Sequence, residues 1–141
     1  MTTPTPFLLT PVLLLARVLL ALMFILAGIG KFTGLAGTAG YIASKGLPMP
    51  MVLAFLTGVL ELVAGLAIVL GWYARIAGLA LALFTLTAAL IFHAFWALPA
   101  DQQMIQQLMF MKNLSVAGGL LLVFVFGAGS LSVDARRLAR A

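Results

Sequence analysis

Apolar residues fill four long runs of this chain, and the scattered polar positions mark where each run begins, ends or is interrupted. The first run, about residues 11–30, is broken only by Arg17, and the second, about 50–70, carries Glu61 near its middle. The third, about 76–96, has His93 in its last turn, and the fourth, about 108–126, opens with Lys112 and Asn113. Some 20 helical residues rise about 30 Å, the thickness of bilayer hydrocarbon. The pattern predicts an all-α integral membrane protein, an antiparallel four-helix bundle in a single domain spanning residues 1–141.

Within the runs, small and polar residues recur at helical spacing. Arg17, Ala21, Phe24, Gly28 and Lys31 form one stripe, and Ala54, Gly58, Glu61 and Gly65 form another. Gly78, Ala82, Ala89 and His93 share a face with Thr85 beside them. Small residues let membrane helices approach closely, so these stripes are expected to face the bundle interior. Pro11 suits the first turn of the first helix. The connection 32–49 is too rich in glycine for a span. A short interfacial helix fits about 36–45, with Gly46 at its C′ position and Pro48 blocking continuation. Trp72, Tyr73 and Arg75 mark an interfacial turn. The stretch 97–107, with Asp101 and four glutamines, reads as a loop or an amphipathic lead-in to the fourth helix. Gly118 and Gly119 would permit tight packing, and Arg136, Arg137 and Arg140 make a short basic tail.

A carboxylate inside hydrocarbon must be neutralised, paired or wetted, so Glu61 is a functional-site candidate that needs a partner. At about 1.5 Å per residue, Arg17 lies roughly 9 Å and Glu61 roughly 13 Å from the same membrane face. Arg17 is therefore the expected partner, with Lys112 or His93 as alternatives reached from the other side. Lys31, His93, Lys112 and Asn113 make a second polar layer near the opposite face. A buried ion pair can also serve only to fix helix register, a titrating histidine can be a satisfied interfacial one, and Lys112 can snorkel to a lipid or backbone contact.

Composition sharpens this picture by exclusion. The chain is 65% hydrophobic and 8% charged, with a mean hydropathy of +1.25. Its net charge of +5 comes from residues at run ends, which argues for membrane orientation and against nucleic acid. Arg17, Arg75, Arg136, Arg137 and Arg140 fall on one side, and Lys31, Lys45 and Lys112 on the other. The positive-inside rule then puts both termini in the cytoplasm. The first run lacks a basic n-region, so it is read as a span and not as a cleaved signal. With no cysteine and one histidine, the chain is expected to hold no metal centre and no intrinsic cofactor, and any redox role must borrow one.

The ordered set of Arg17, Gly28-Ile29-Gly30-Lys31-Phe32, Gly46-Leu47-Pro48, Gly58-Val59-Leu60-Glu61, Gly65, Leu70-Gly71, Arg75, His93, Phe95-Trp96, Phe110-Met111-Lys112-Asn113 and Gly118-Gly119 resembles the DoxX family over about residues 12–134. The resemblance implies a small four-helix protein of the bacterial inner (plasma) membrane, linked to quinone oxidoreductases or oxidative-stress complexes. It makes Arg17, Lys31, Glu61, His93, Lys112 and Asn113 the candidates for ligand binding or proton handling. Quinone is the cofactor it suggests, and the bilayer, a redox protein and further copies of the chain are the candidate partners. Three functions stay open at this point: a quinone-linked redox accessory, a small-molecule carrier or lipid-binding protein, and a non-catalytic scaffold. Whether the chain is an enzyme stays open with them.

Overall fold

The computed structural model describes residues 6–140. Its elements are α1 (Pro6–Thr33), α2 (Leu35–Ser44), α3 (Pro50–Leu70), α4 (Ala74–Phe92), a single 3₁₀ turn at Phe95–Ala97, α5 (Ala100–Phe126) and α6 (Val133–Leu138). Four of these helices, α1, α3, α4 and α5, are long and apolar enough to cross a membrane. They form an antiparallel bundle in which α1 packs on α3, α3 on α4, and α4 on α5. Among the described residues there is no strand.

The small-residue stripes face inward as expected. Ala54, Gly58, Glu61 and Gly65 are all buried on α3, and Gly78, Ala82, Thr85 and Ala89 are buried on α4. The contacts are close enough to exclude side chains: a Cβ on Gly28 would sit 2.9 Å from the Leu62 backbone nitrogen and 3.0 Å from the Gly58 carbonyl oxygen. Without hydrophobic driving force between helices in lipid, such approach is what holds them together. One core, with Ala21, Phe24, Ile68, Leu81 and Leu120 at its centre, fills the half of the bundle near the chain termini. Large apolar residues such as Leu19, Leu26, Val63 and Leu122 point outward, as a lipid-facing surface requires.

Both ends of the described chain meet at this terminal end. Thr10 bonds Ser130 across 3.0 Å, and the C-terminal segment folds back over the α3–α4 turn. There Asp134 accepts from the Tyr73 and Ala74 backbone N–H groups at 2.9 and 3.0 Å, capping α4. Its own N–H donates to the Gly71 carbonyl at 2.9 Å. Gly71 is left-handed, with φ +67°, and a Cβ there would collide with Ser132 and Arg17. Arg75 donates to the Phe124 and Val125 carbonyls that α5 leaves unpaired at its end.

At the far end α2 lies across the bundle. Ala39 and Ile42 bury against Ala54 of α3, and the Tyr41 ring stacks on Phe92 of α4 at 5.2 Å. The expected interfacial helix is therefore present, and Gly46 follows its cap with φ +73°. Some boundaries differ from the sequence reading. Pro11 lies inside α1, because the helix begins at Pro6. The glutamine stretch is helical from Ala100, consistent with the good helix propensity of Gln, Met and Leu and with Asp101 in the positively polarised first turn. Of the glycine pair on α5, only Gly119 packs, near Leu20; Gly118 faces open space.

Candidate functional site

The helices α1, α3, α4 and α5 line a cavity of about 830 Å³, open on one side, in the half of the bundle away from the termini, with α2 above it. Lys31, Glu61, His93, Lys112 and Asn113 all line it. Glu61, on the inward stripe of α3, is only 5% exposed, and its Oε2 accepts from Lys31 Nζ at 2.5 Å. The partner is thus Lys31, one turn beyond Gly28 on α1.

This corrects the expected Arg17–Glu61 pair. Aligning the predicted ends of the first two runs sets Arg17 near the depth of Glu61, but the real register slides α3 toward the far end of α1. Gly28 meets Gly58 and Leu62, and Gly65 meets Phe24 and Ile25. Arg17 is eleven residues from Gly28, roughly 16 Å along the axis. It lies instead at the terminal end, buried, donating from Nη2 to the Leu131 carbonyl at 2.7 Å. Its Nε and Nη1 find no partner among the described residues. Arg17 belongs to the closure over the α3–α4 turn and not to the cavity.

The remaining polar groups have specific surroundings. His93 stands at the end of α4 and binds Gln106 of α5 through Nδ1 and Oε1 at 2.8 Å. A carbonyl oxygen only accepts, so Nδ1 donates in this contact. Asn113 is 8% exposed, and no hydrogen bond joins its side chain to any described residue. Thr85 is 3% exposed, and its Oγ1 is also without a partner among the described residues. Buried polar groups are normally satisfied, so the orphaned Thr85 hydroxyl, close to an Asn113 amide that bonds no described residue, calls for an explanation. The rest of the wall is mostly apolar, with Phe24, Phe84 and Phe92 supplying aromatic surface, and the Thr57 and Thr87 hydroxyls bond backbone carbonyls of their own helices. Lys31 spends one of its N–H donors on Glu61, and Glu61 Oε1 accepts nothing from the described residues. The cavity therefore offers donors from Lys31, Asn113 and Thr85, and acceptors from Glu61 and Asn113, inside an apolar shell.

Sequence reasoning had marked Thr85 only as a neighbour of the third stripe. Its orphaned hydroxyl has no sequence signal, because a helical threonine ordinarily bonds the carbonyl four residues back, as Thr57 and Thr87 do here. Tyr41, within the helix expected at the interface, also lines the cavity. Among the described residues no group of three or more His, Asp or Glu side chains is arranged to hold a metal ion.

Comparison with known proteins decides the family. Residues 12–94 match the DoxX family model. The chain belongs to the DoxX family. It is 41% identical over 127 residues to the inner membrane protein YphA of Escherichia coli (strain K12), covering 89% of this chain and 91% of that protein. It is 42% identical over 124 residues to the inner membrane protein YqjF of the same organism, covering 86% and 88%. It is also 38% identical over 78 residues to CatD of Bacillus subtilis (strain 168), whose name offers an oxidoreductase only as a conjecture; the match covers 55% of this chain and 56% of CatD. No solved structure matches. As a DoxX protein the chain is a membrane protein, and its family match runs from within α1 through α2, α3 and α4 to Ala94.

Proposed function

We propose that this chain is an inner-membrane binding protein for a quinone-type molecule and an accessory to a quinone-linked redox system. The observation that carries the reading is the buried, unpartnered Thr85 hydroxyl and the Asn113 amide, which no side-chain hydrogen bond holds, beside the Lys31–Glu61 pair in a mostly apolar cavity of about 830 Å³. Ligand pockets of roughly 300–1,000 Å³ have this character, apolar walls with a few convergent polar groups. A flat ring bearing carbonyl oxygens fits the donor set: Asn113 and Thr85 bind a carbonyl, Lys31 stands by as a charged donor, and the phenylalanines face the ring. Glu61 is placed to hold a proton beside the ligand. A bound quinone supplies two-electron, two-proton redox chemistry. With no cysteine and one histidine in the chain, the electrons are assigned to a partner protein.

The filled terminal half supports binding over conduction, since Ala21, Phe24, Ile68, Leu81 and Leu120 close the bundle below the cavity. The basic residues Arg75, Arg136, Arg137 and Arg140 gather at the terminal end, which supports placing both termini in the cytoplasm. The cavity then lies in the outer half of the membrane. The oxidoreductase conjecture in the name of CatD agrees with the redox assignment. The test is extraction of native-membrane protein followed by mass spectrometry of bound lipids, together with quinone titration of nanodisc-embedded protein by thermal stability. Wild type is expected to retain quinone and to gain stability saturably, with Asn113→Leu losing both effects. Empty protein with no saturable shift would overturn the reading.

A further inference from the structure

The cavity is not closed on every side, and its open side has a particular shape. α1 and α5 meet in the terminal half, where Leu20 lies over Gly119. From Leu20 toward the far end, the stripe of α1 beside that contact reads Leu20, Met23, Ala27, Gly30, and the last three line the cavity. From Met23 onward the side chains on this stripe therefore shrink turn by turn. At Gly30 the backbone is exposed, and nothing lies within 4 Å of where a Cβ would project. Opposite, on α5, Lys112 is exposed and lines the cavity as well. The α1 surface flanking the opening is apolar and outward-facing, with Leu26 59% and Ile29 46% exposed. The opening therefore gives onto lipid.

A tapered slot between two lipid-facing helices, leading to a chamber with the orphaned Thr85 hydroxyl and the Asn113 amide on its wall, differs from a closed pocket for a soluble metabolite. We infer that the ligand carries a long apolar tail, and that it enters from the bilayer between α1 and α5 with the tail left lying in the slot over Gly30. Gly30 is then a specificity-determining residue: its missing side chain leaves room for the tail, while Asn113 and Thr85 hold the head. The inference rests on the quinone reading for the identity of the head and adds the route and the tail.

The test uses full-length protein in phosphatidylcholine nanodiscs and two probes, a benzoquinone bearing a polyisoprenoid tail and the same ring without a tail. Binding is read from quenching of the native Trp72 and Trp96 fluorescence. Gly30→Phe fills the slot, and Gly118→Phe, at a site with nothing within 4 Å on a surface outside the cavity, is the control. Gly30→Phe is expected to weaken the tailed probe by about tenfold or more while leaving the tail-free probe within about twofold, and Gly118→Phe to change neither. If Gly30→Phe fails to give a monodisperse protein, Gly30→Ala and Gly30→Val are expected to produce a graded loss confined to the tailed probe. Equal affinity of the tailed probe for wild type and the Gly30 variants, or equal loss of both probes, overturns the slot and leaves the quinone reading intact. Failure of wild type to bind either probe overturns both.

Discussion

The Lys31–Glu61 pair allows a test in which the chemistry and the fold give separable answers. Two unit charges about 4 Å apart attract by about 4 kcal/mol at an effective dielectric constant near 20. Removing each ion from water costs several kcal/mol, so a buried pair contributes little net stability, whereas deleting one partner of a fully buried pair costs about 3–5 kcal/mol. The pair here is asymmetric: the Glu61 side chain is 7% exposed and that of Lys31 21%. A lysine left alone by Glu61→Gln can turn into the cavity and hydrate, so that variant should lose only about 1–2 kcal/mol. A glutamate left alone by Lys31→Met stays deep on α3 and must take up a proton or draw in water, so the loss should reach about 2–4 kcal/mol. Combining the two removes both charges. The double variant is expected to be more stable than Lys31→Met alone, with a coupling energy of about 1–3 kcal/mol, inside the range for residues in direct contact. Unfolding in bicelles, followed by a steric-trap or mixed-detergent titration on all four proteins, measures each corner of the cycle. Additivity within about 0.5 kcal/mol would refute the pairing. A similar cycle with Arg17→Met and Glu61→Gln should be additive.

Other substitutions probe the packing, the closure and the orientation. Gly28→Leu forces a side chain against the Leu62 nitrogen and Gly58 carbonyl of α3, and the same unfolding assay should record a loss of about 2 kcal/mol or more from overpacking against backbone. Asp134→Ala removes the cap on α4 and should cost about 1–2 kcal/mol; hydrogen exchange should show the Tyr73 and Ala74 amides and the 131–138 segment losing protection, and unchanged protection would contradict the cap. Thr85→Val replaces an orphaned hydroxyl by a methyl group of similar shape, so ligand-free protein should be as stable or more so, while affinity for the ring probe falls. Because the natural chain has no cysteine, single-cysteine labelling is clean: an impermeant maleimide should reach Gln102→Cys in intact cells and Arg140→Cys only after permeabilisation, and the reverse pattern would invert the topology.

The four spans were legible because membrane helices advertise themselves by length and hydropathy, and the inward stripes because small residues at helical spacing have one good use in lipid. Five of the six candidate site residues, Lys31, Glu61, His93, Lys112 and Asn113, were also legible, since polar groups in or beside apolar runs are costly enough to be noticed. Arg17 was noticed for the same reason and set toward the terminal end, but it was given the wrong partner: it bonds Leu131 and not Glu61. Pairing depends on the axial register between helices, and register is decided by which glycine meets which backbone: Gly28 against Gly58 and Leu62, and Gly65 against Ile25. Counting from predicted helix ends cannot recover that, particularly when α1 extends from Pro6 to Thr33 and not from 11 to 30. The capping role of Asp134 was invisible for a related reason. A carboxylate in a basic tail looks solvated until the tail folds back on a turn some sixty positions earlier.

The two ends of the bundle invite one further step of reasoning. At the terminal end Arg17, Asp134, Ser132 and the left-handed Gly71 interlock, so the helices there are held by polar contacts to backbone as well as by the apolar core. At the far end the helices diverge around a cavity, bridged by the Lys31–Glu61 pair and the His93–Gln106 hydrogen bond and covered by a ten-residue helix. Structural free energy is thus concentrated where no candidate ligand group except Phe24 is found, and the Thr85 hydroxyl and Asn113 amide sit where packing is loosest. Local opening draws on the least stable parts of a fold, so α2 and the far ends of α1 and α5 should exchange amide hydrogens faster than α3 and α4 below Glu61. A quinone that binds Asn113 and Thr85 should slow exchange in α2 and at the far ends of α1 and α5 selectively. Uniform protection on ligand addition, or protection centred on Arg17, would place the functional end of the molecule at the terminal closure instead.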